Sequence, residues 1–405
     1  MASLTLTDYD DILKEFYLPL FERQFVQQTV LMDDVILKRD SEHIEGKNAF
    51  IPLEFETWGG FNSIAEGGTI VTPEPSDYAR TTVPMAYHYA AFRLTGPVME
   101  ASRSQSGAFA PSLNREMTSK INTFHRQINR QLWNDGSGVL ALVDSGSPDA
   151  TLDLDAAHGI ANDDNGGTFF GPNMNIDIYS AKTAGSYRGS ARVTSVSGNT
   201  ITLDTLPSGT ANNDMVFLEG SRGNEMMGLY GGIDDYSVVS TFQGLTSSTQ
   251  PTWISQIHDG ASAGTNAPLT RTRINKVLRD VNHTGGGDTK FIIGSPDVQL
   301  AYGDMAARNG IQVNEVDLDN GWRGLSYNGI PWMADKFAPE NMAAFIDPSA
   351  LRVYEMARPQ WLDRGTGVLK QVGRTDVYEA QYFWYAELGF SSRRKLAWLN
   401  DISVL

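Results

Sequence analysis

Ser262 sits in Gly260-Ala261-Ser262-Ala263-Gly264, the letter pattern of the elbow that raises a reactive serine in hydrolases. That chemistry needs a buried strand before the serine, a helix at once after it and a histidine base. Here His258-Asp259-Gly260 lead in, Thr265-Asn266-Ala267-Pro268 follow, and only His283 lies downstream, so the stretch reads as a flexible loop. The six histidines, His43, His88, His125, His158, His258 and His283, are too widely spaced for a local metal motif. Asn162 to Gly167, NDDNGG, imitates a calcium loop, but Ala161 holds the first-ligand place and Pro172 the twelfth, where a bidentate glutamate is required. A polar turn is expected instead. Asp317, Asp319 and Asn320 before Gly321 fail in the same way, with Val316 in first place. Gly285 to Gly287, followed by Asp288, is a helix stop and not a phosphate cradle. With no cysteine in 405 residues, disulfides, thiolate metal sites and cysteine nucleophiles are excluded. The residue types therefore predict no catalytic, cofactor or metal site, and a chain that is not an enzyme.

Charge narrows the choice further. Thirty-two basic against 48 acidic side chains leave a net charge of -16, which opposes a protein whose task is to grip nucleic acid through phosphates. Arg393-Arg394-Lys395 is the one basic run and is expected to be a solvated edge or a single contact point. An apolar content of 41% is enough for real cores, and no run of 18 apolar residues or basic leader marks a membrane span or a signal peptide, so the chain is expected to be soluble.

The elements that would position any site are clearer than the site itself. From Pro111 to Gly138 the apolar residues Leu113, Met117, Ile121, Phe124, Ile128 and Leu132 share one stripe at helical spacing, with Arg115, Lys120, Arg126 and Arg130 mostly off it. This predicts a long helix with one buried face, closed near Asn134-Asp135-Gly136 by a left-handed glycine. Ahead of it, Tyr9, Ile12, Leu13, Phe16, Tyr17 and Leu20 form an amphipathic arm interrupted at Pro19. Between arm and helix the period becomes two: a strand at Phe50 to Glu56, a second strand-like run at Thr81 to Leu94, and between them a glycine- and proline-rich tip. Such a ribbon is marginal alone in water, so Trp58, Phe61, Tyr87, Tyr89 and Phe92 require a surface to lie on.

After the helix, GSGVLALVDSGSP reads as a joint. Short strands then follow at Asn175 to Ser180, Ala191 to Val196, Thr200 to Leu203 and Met215 to Leu218, an all-β insertion with a hairpin over Ala191 to Asp204. Leu269 onward carries a helix on Ile274, Val277, Leu278 and Val281, a buried strand at Phe291 to Ile293, a helix capped by Ser295-Pro296, and strands near Gly329 to Met333 and Met342 to Ile346, which together make a compact α/β module. The aromatic C-terminal stretch is expected to return to the long helix as a sheet beside it.

This order of parts, with the phrases WNDGSGVLA, MMGLYGGID and IIGSPDVQLAY, resembles the major capsid proteins of tailed bacteriophages, which have the α+β Hong Kong 97 (Johnson) fold. The resemblance implies an N-arm at 1–40, an E-loop hairpin at 41–97, a spine helix at 111–134 within a first P-domain part at 98–140, a β-rich insertion at 141–222, an A-domain at 223–340 and a second P-domain part at 341–405. It implies a structural shell protein located in the virion capsid, made and assembled in the host cytoplasm, and enclosing double-stranded DNA without specific binding. Its partners would be its own copies, as pentamers and hexamers, with portal, scaffolding or decoration proteins and no membrane. Expected assembly contacts are Phe16, Phe21, Trp58, Phe61 and Ile64, and the expected spine core is the stripe Leu113, Met117, Ile121, Phe124, Ile128 and Leu132. Some family members cross-link through a hairpin lysine; no lysine lies between Lys47 and Lys120, so a noncovalent shell is expected. An encapsulin-like compartment of the same fold, or a β-rich enzyme or carbohydrate-binding protein, are the alternatives.

Overall fold

The computed structural model describes residues 31–32, 41–55, 60–72, 75–101, 112–144, 150–160, 163–260, 265–308, 315–317, 323–363 and 367–404. The described residues of Tyr89–Phe124 and Gln360–Tyr382 form one compact unit, and those of Gln28–His88, His125–Pro359 and Phe383–Leu405 form a larger one.

The long helix runs Ser112–Gln131 and ends as its sequence requires: Gly136 and Gly138 adopt φ of 78° and 85°, a region open to glycine at little cost. At Gly138 a side chain would also stand 2.9 Å from the Ser221 carbonyl oxygen. The freed carbonyl of Leu132 accepts from Leu229 N at 2.7 Å, so the helix end is satisfied by a distant loop. In the smaller unit, Phe124 meets Tyr382 edge-on at 5.1 Å, Tyr382 meets Trp361 at 5.1 Å, and Trp361 meets Phe92 at 5.7 Å, a relay of edge-to-face rings.

Asn48–Phe55 and Asp77–Pro84 pair antiparallel over their whole length. The expected second run is two strands, Asp77–Pro84 and Ala86–Thr95. Pro84 has no N–H to continue a ladder, so the hairpin stops there, and the following strand pairs with Val377–Phe390 instead. That long strand also lies between Leu351–Trp361 and Lys370–Gln371 in one sheet.

Six strands close a barrel in the order Met215–Leu218, Val139–Asp144, Thr151–Asp155, Thr200–Leu203, Tyr187–Ser197 and Asn175–Tyr179. Alternate residues such as Val143, Leu154, Ile176, Val193, Ile201 and Val216 fill its interior, and closure removes exposed edges. Val139–Asp144, expected as part of a joint, is thus a buried strand. Its run of apolar residues is too short to show a period, and the flanking glycines and serines masked it.

The α/β module is a seven-stranded sheet, ordered Gln256–His258, Leu396–Leu399, Ala343–Ile346, Phe291–Gly294, Ile330–Ala334, Arg323–Tyr327 and Glu315–Asp317. Helices Arg271–His283 and Pro296–Arg308 bury Ile274, Val277, Val298 and Tyr302 against it. Thr270 Oγ1 accepts from Arg273 N at 3.3 Å and Ser295 Oγ from Val298 N at 3.2 Å, the caps that start the two helices. Leu396–Leu399 corrects the expectation that the whole C-terminal stretch forms a sheet beside the long helix. All four of its residues are buried, so it suits a central strand with both faces covered. Ala397 and Leu399 join the core under the helices, while the Trp398 ring reaches Trp133 at the end of the long helix, 6.2 Å between centroids.

Candidate assembly surface

The hairpin separates its residues by face. Ala49, Ile51, Leu53, Thr81 and Val83 are buried, whereas Phe50 and Tyr78 on the other face are exposed. Arg80 stacks its guanidinium 4.5 Å over the Phe50 ring, and Tyr78 Oη donates to Glu54 Oε1 at 3.2 Å, so the outer face holds its aromatics in place with charges. The buried face is anchored at its base, where Thr82 N donates to Gln243 O at 2.8 Å and Gln243 Nε2 donates to Leu388 O at 3.2 Å. Toward the tip the cover ends. Phe61 is 83% exposed, Ile70 78% and Ile64 45%, an apolar surface among the described residues.

A buried polar hub lies on the loop Asp335–Glu340. Asp335 accepts from Asn129 Nδ2 at 2.9 Å, from Phe337 N at 2.9 Å and from Leu31 N at 3.2 Å, and Asn129 Oδ1 accepts from Met32 N at 3.0 Å. One carboxylate and one amide thus pin residues 31–32 to the helix and to the loop. Burial raises the Asp335 carboxyl above its ordinary range, against the pull of those donors. The barrel reaches the same loop. His158 Nε2 donates to Phe337 O at 2.9 Å, Phe169 stacks on Phe337, and Glu340 N donates to Asp163 at 3.2 Å. Burial holds the His158 imidazole neutral, with its pKa lowered to about 3.

Four other charged side chains are inside, two of them expected away from the core. Arg130, expected mostly off the apolar stripe, is fully buried and ion-paired with Glu225. Arg393, expected at a solvated edge, is 0% exposed: Nε donates to Gly232 O at 2.8 Å and Nη2 to Asp234 O at 2.6 Å, with the guanidinium 4.3 Å above the Phe242 ring. A basic triplet looks like surface in a sequence, whereas three backbone carbonyls and an aromatic face satisfy one member here. Glu387, fully enclosed, accepts from Met227 N at 2.7 Å and Leu388 N at 3.0 Å, and burial raises it to about 8. None of these four carried a local signal, because each is explained by a partner far along the chain.

Of the expected assembly contacts, Phe61 and Ile64 are exposed at the tip, while Phe16, Phe21 and Trp58 lie outside the described residues. In the stripe, Phe124, Ile128 and Leu132 are buried and Met117 and Ile121 half-buried; the Leu113 side chain lies outside the described residues. Ser262 and Asp319 lie outside them as well. Among the described residues no group of three or more His, Asp or Glu is placed to hold a metal ion, and no helix is long and apolar enough to cross a membrane.

No protein-family model and no curated protein matches the sequence. Solved structures match its fold end to end. The chain superposes on a subunit of the cyanophage A-1(L) capsid asymmetric unit with a TM-score of 0.61 at 12% identity, covering 98% of this chain and 99% of that one. It superposes on the holo-SrpI encapsulin of Synechococcus elongatus PCC 7942 with a TM-score of 0.54 at 9% identity, covering 100% and 97%. The capsid of the native GTA particle gives 0.52 at 8% identity, with both chains covered in full. The fold is that of tailed-phage major capsid proteins, the α+β Hong Kong 97 type.

Proposed function

We propose that this chain is a structural major capsid protein that self-assembles into the icosahedral shell around the double-stranded DNA of a tailed phage. What carries the reading is the full-length likeness to the cyanophage capsid subunit, joined to a hairpin tip whose apolar side chains are exposed among the described residues. The arm at 1–40, the hairpin at 41–97, the spine at 98–140 with 341–405, the insertion at 141–222 and the A-domain at 223–340 take the parts named for them above, with strands Ala343–Ile346 and Leu396–Leu399 pairing into the A-domain sheet. In a shell the tip of each copy lies on a neighbour, so burial absent from one subunit is supplied by symmetry. The acidic balance holds packaged DNA off the inner wall without specific contacts, and the chain performs no catalysis. The location is the virion, after assembly in the host cytoplasm, with portal and scaffolding or decoration proteins as further partners.

Electron microscopy of the purified protein is the test. Closed shells, or capsomers of five and six, are expected, and a protein that stays monomeric at all concentrations and salts overturns the reading. The encapsulin likeness favours a second reading, a compartment for protein cargo. Shells that enclose a co-purifying protein and no DNA when isolated from the native source would select it. Denaturing gels of mature shells should show single subunits, because the described tip residues hold no lysine and none occurs between Lys47 and Lys120.

A further inference from the structure

Asp163 is a carboxyl in an unfavourable place. It is 3% exposed, and it joins the barrel to the hub loop: one oxygen accepts from Asn165 N at 3.3 Å within the barrel segment, the other from Glu340 N at 3.2 Å on the loop. It also separates two cavities. On one side a cavity of about 150 Å³ is lined by Asp297 at the start of a helix, Lys336 and Glu340. On the other, a cavity of about 410 Å³ is faced by Asp234, Asp235, Asp259 and Asp401. Asp164 follows Asp163 in the chain, and among the described residues Lys336 is the one basic side chain lining either cavity. The backbone leading to Asp163 is held out of its relaxed state, with Ala156 at φ 46° and His158 at φ 57°, conformations that non-glycine residues adopt only when their surroundings impose them.

We infer that the Asp163 carboxyl is a proton-operated latch: protonated, it lets the barrel sit on the Asp335–Glu340 loop, and ionised, it encloses a charge beside Glu340 and Asp164 and loosens that junction. Burial raises the carboxyl to about 7, outweighing the N–H groups of Glu340 and Asn165 that favour its ionised form, with the charges of Glu340 and Asp164 adding smaller amounts, and Glu340 is itself raised by burial, Asp297 and Asp164. A carboxyl raised in the closed junction binds its proton more tightly there than when the junction opens to water. Closure therefore strengthens as pH falls below about 7 and stays level above it. The latch does not depend on the assembly reading, because every group in it belongs to one subunit.

Hydrogen exchange of the full-length unassembled subunit at pH 5.5, 6.5, 7.5 and 8.5, corrected for intrinsic rates, tests it on peptides covering 154–171 and 334–342. Protection of these peptides should be level between pH 8.5 and 7.5, then rise by up to about tenfold per pH unit below about 7. Asp163→Asn, which keeps an acceptor oxygen but cannot ionise, should show the low-pH protection at all four values. Glu340→Gln removes the facing charge and should move the rise to lower pH. A wild-type junction that is level across the range, or Asp163→Asn retaining the wild-type rise, overturns the latch. Should that variant fail to fold, an unmoved rise in Glu340→Gln overturns it instead.

Discussion

The end of the long helix and the tip of the hairpin are both rich in large apolar residues, and they differ in what covers them. Ile128, Leu132 and Trp133 are each at most 1% exposed, and beside them Asn129 pairs with Asp335, Arg130 with Glu225 and the Leu132 carbonyl with the Leu229 backbone. Phe61, Ile64 and Ile70 are exposed among the described residues. Apolar side chains alone do not tell a core from an interface. The difference lies in whether the chain itself brings the opposing surface.

That contrast can be broken by substitution, beginning with the helix. Ile128→Asp buries an unpaired charge and should abolish folding, a loss of more than about 4 kcal/mol, read as insoluble expression or the absence of cooperative unfolding. A charge at half-buried Ile121 should cost clearly less, since it reaches water. Asp335→Ala orphans the amides of Leu31 and Phe337 and the Asn129 side chain, and should destabilise the subunit by about 2–4 kcal/mol in denaturant titration. If it costs no more than a surface change, the hub is incidental.

Glu387 sharpens the comparison through pH. Its carboxyl is raised from 4.5 to about 8, so the folded state binds the proton more tightly than the unfolded one. Its contribution is complete below about 4.5 and is lost as pH climbs to about 8. Glu387→Gln, which can still accept from Met227 N, should match wild type near pH 5 and exceed it in melting temperature near pH 9. Equal slopes with pH in the two proteins would show that this residue does not set the dependence. The smallest effect on folding belongs to the tip. Phe61→Ser with Ile64→Ser should change stability by no more than about 0.5 kcal/mol, yet leave subunits that sediment singly where wild type forms shells. If both folding and assembly fail together, the tip belongs to the core after all.

Much of the architecture could be read locally. The stripe of the long helix, the hairpin from Asn48 to Pro84, and the helix, strand and helix between Arg271 and Arg308 follow from period, caps and glycine stops, signals carried within a few turns of chain. The buried polar residues were missed for the opposite reason. Asn129 and Asp335 are 206 residues apart, and no spacing in either neighbourhood announces the other. Arg393 looked like surface because its acceptors are carbonyls at Gly232, Asp234 and Trp253, and every residue carries a carbonyl.

What the sequence determined by itself is therefore the set of parts and the chemistry it lacks. Without cysteine there are no thiol sites, without a lysine in the hairpin there is no amine there to react, and the order arm, hairpin, helix, insertion and α/β module already carries the likeness to a capsid subunit. The tertiary structure decided which parts close on themselves. Val139–Asp144 becomes the strand that seals the barrel, Leu396–Leu399 enters the middle of a distant sheet, and Asp335 becomes a hub. Pairing over such separations is selected by the burial of whole surfaces at once, and local periodicity, which reports only on which side of an element is apolar, cannot name the partner.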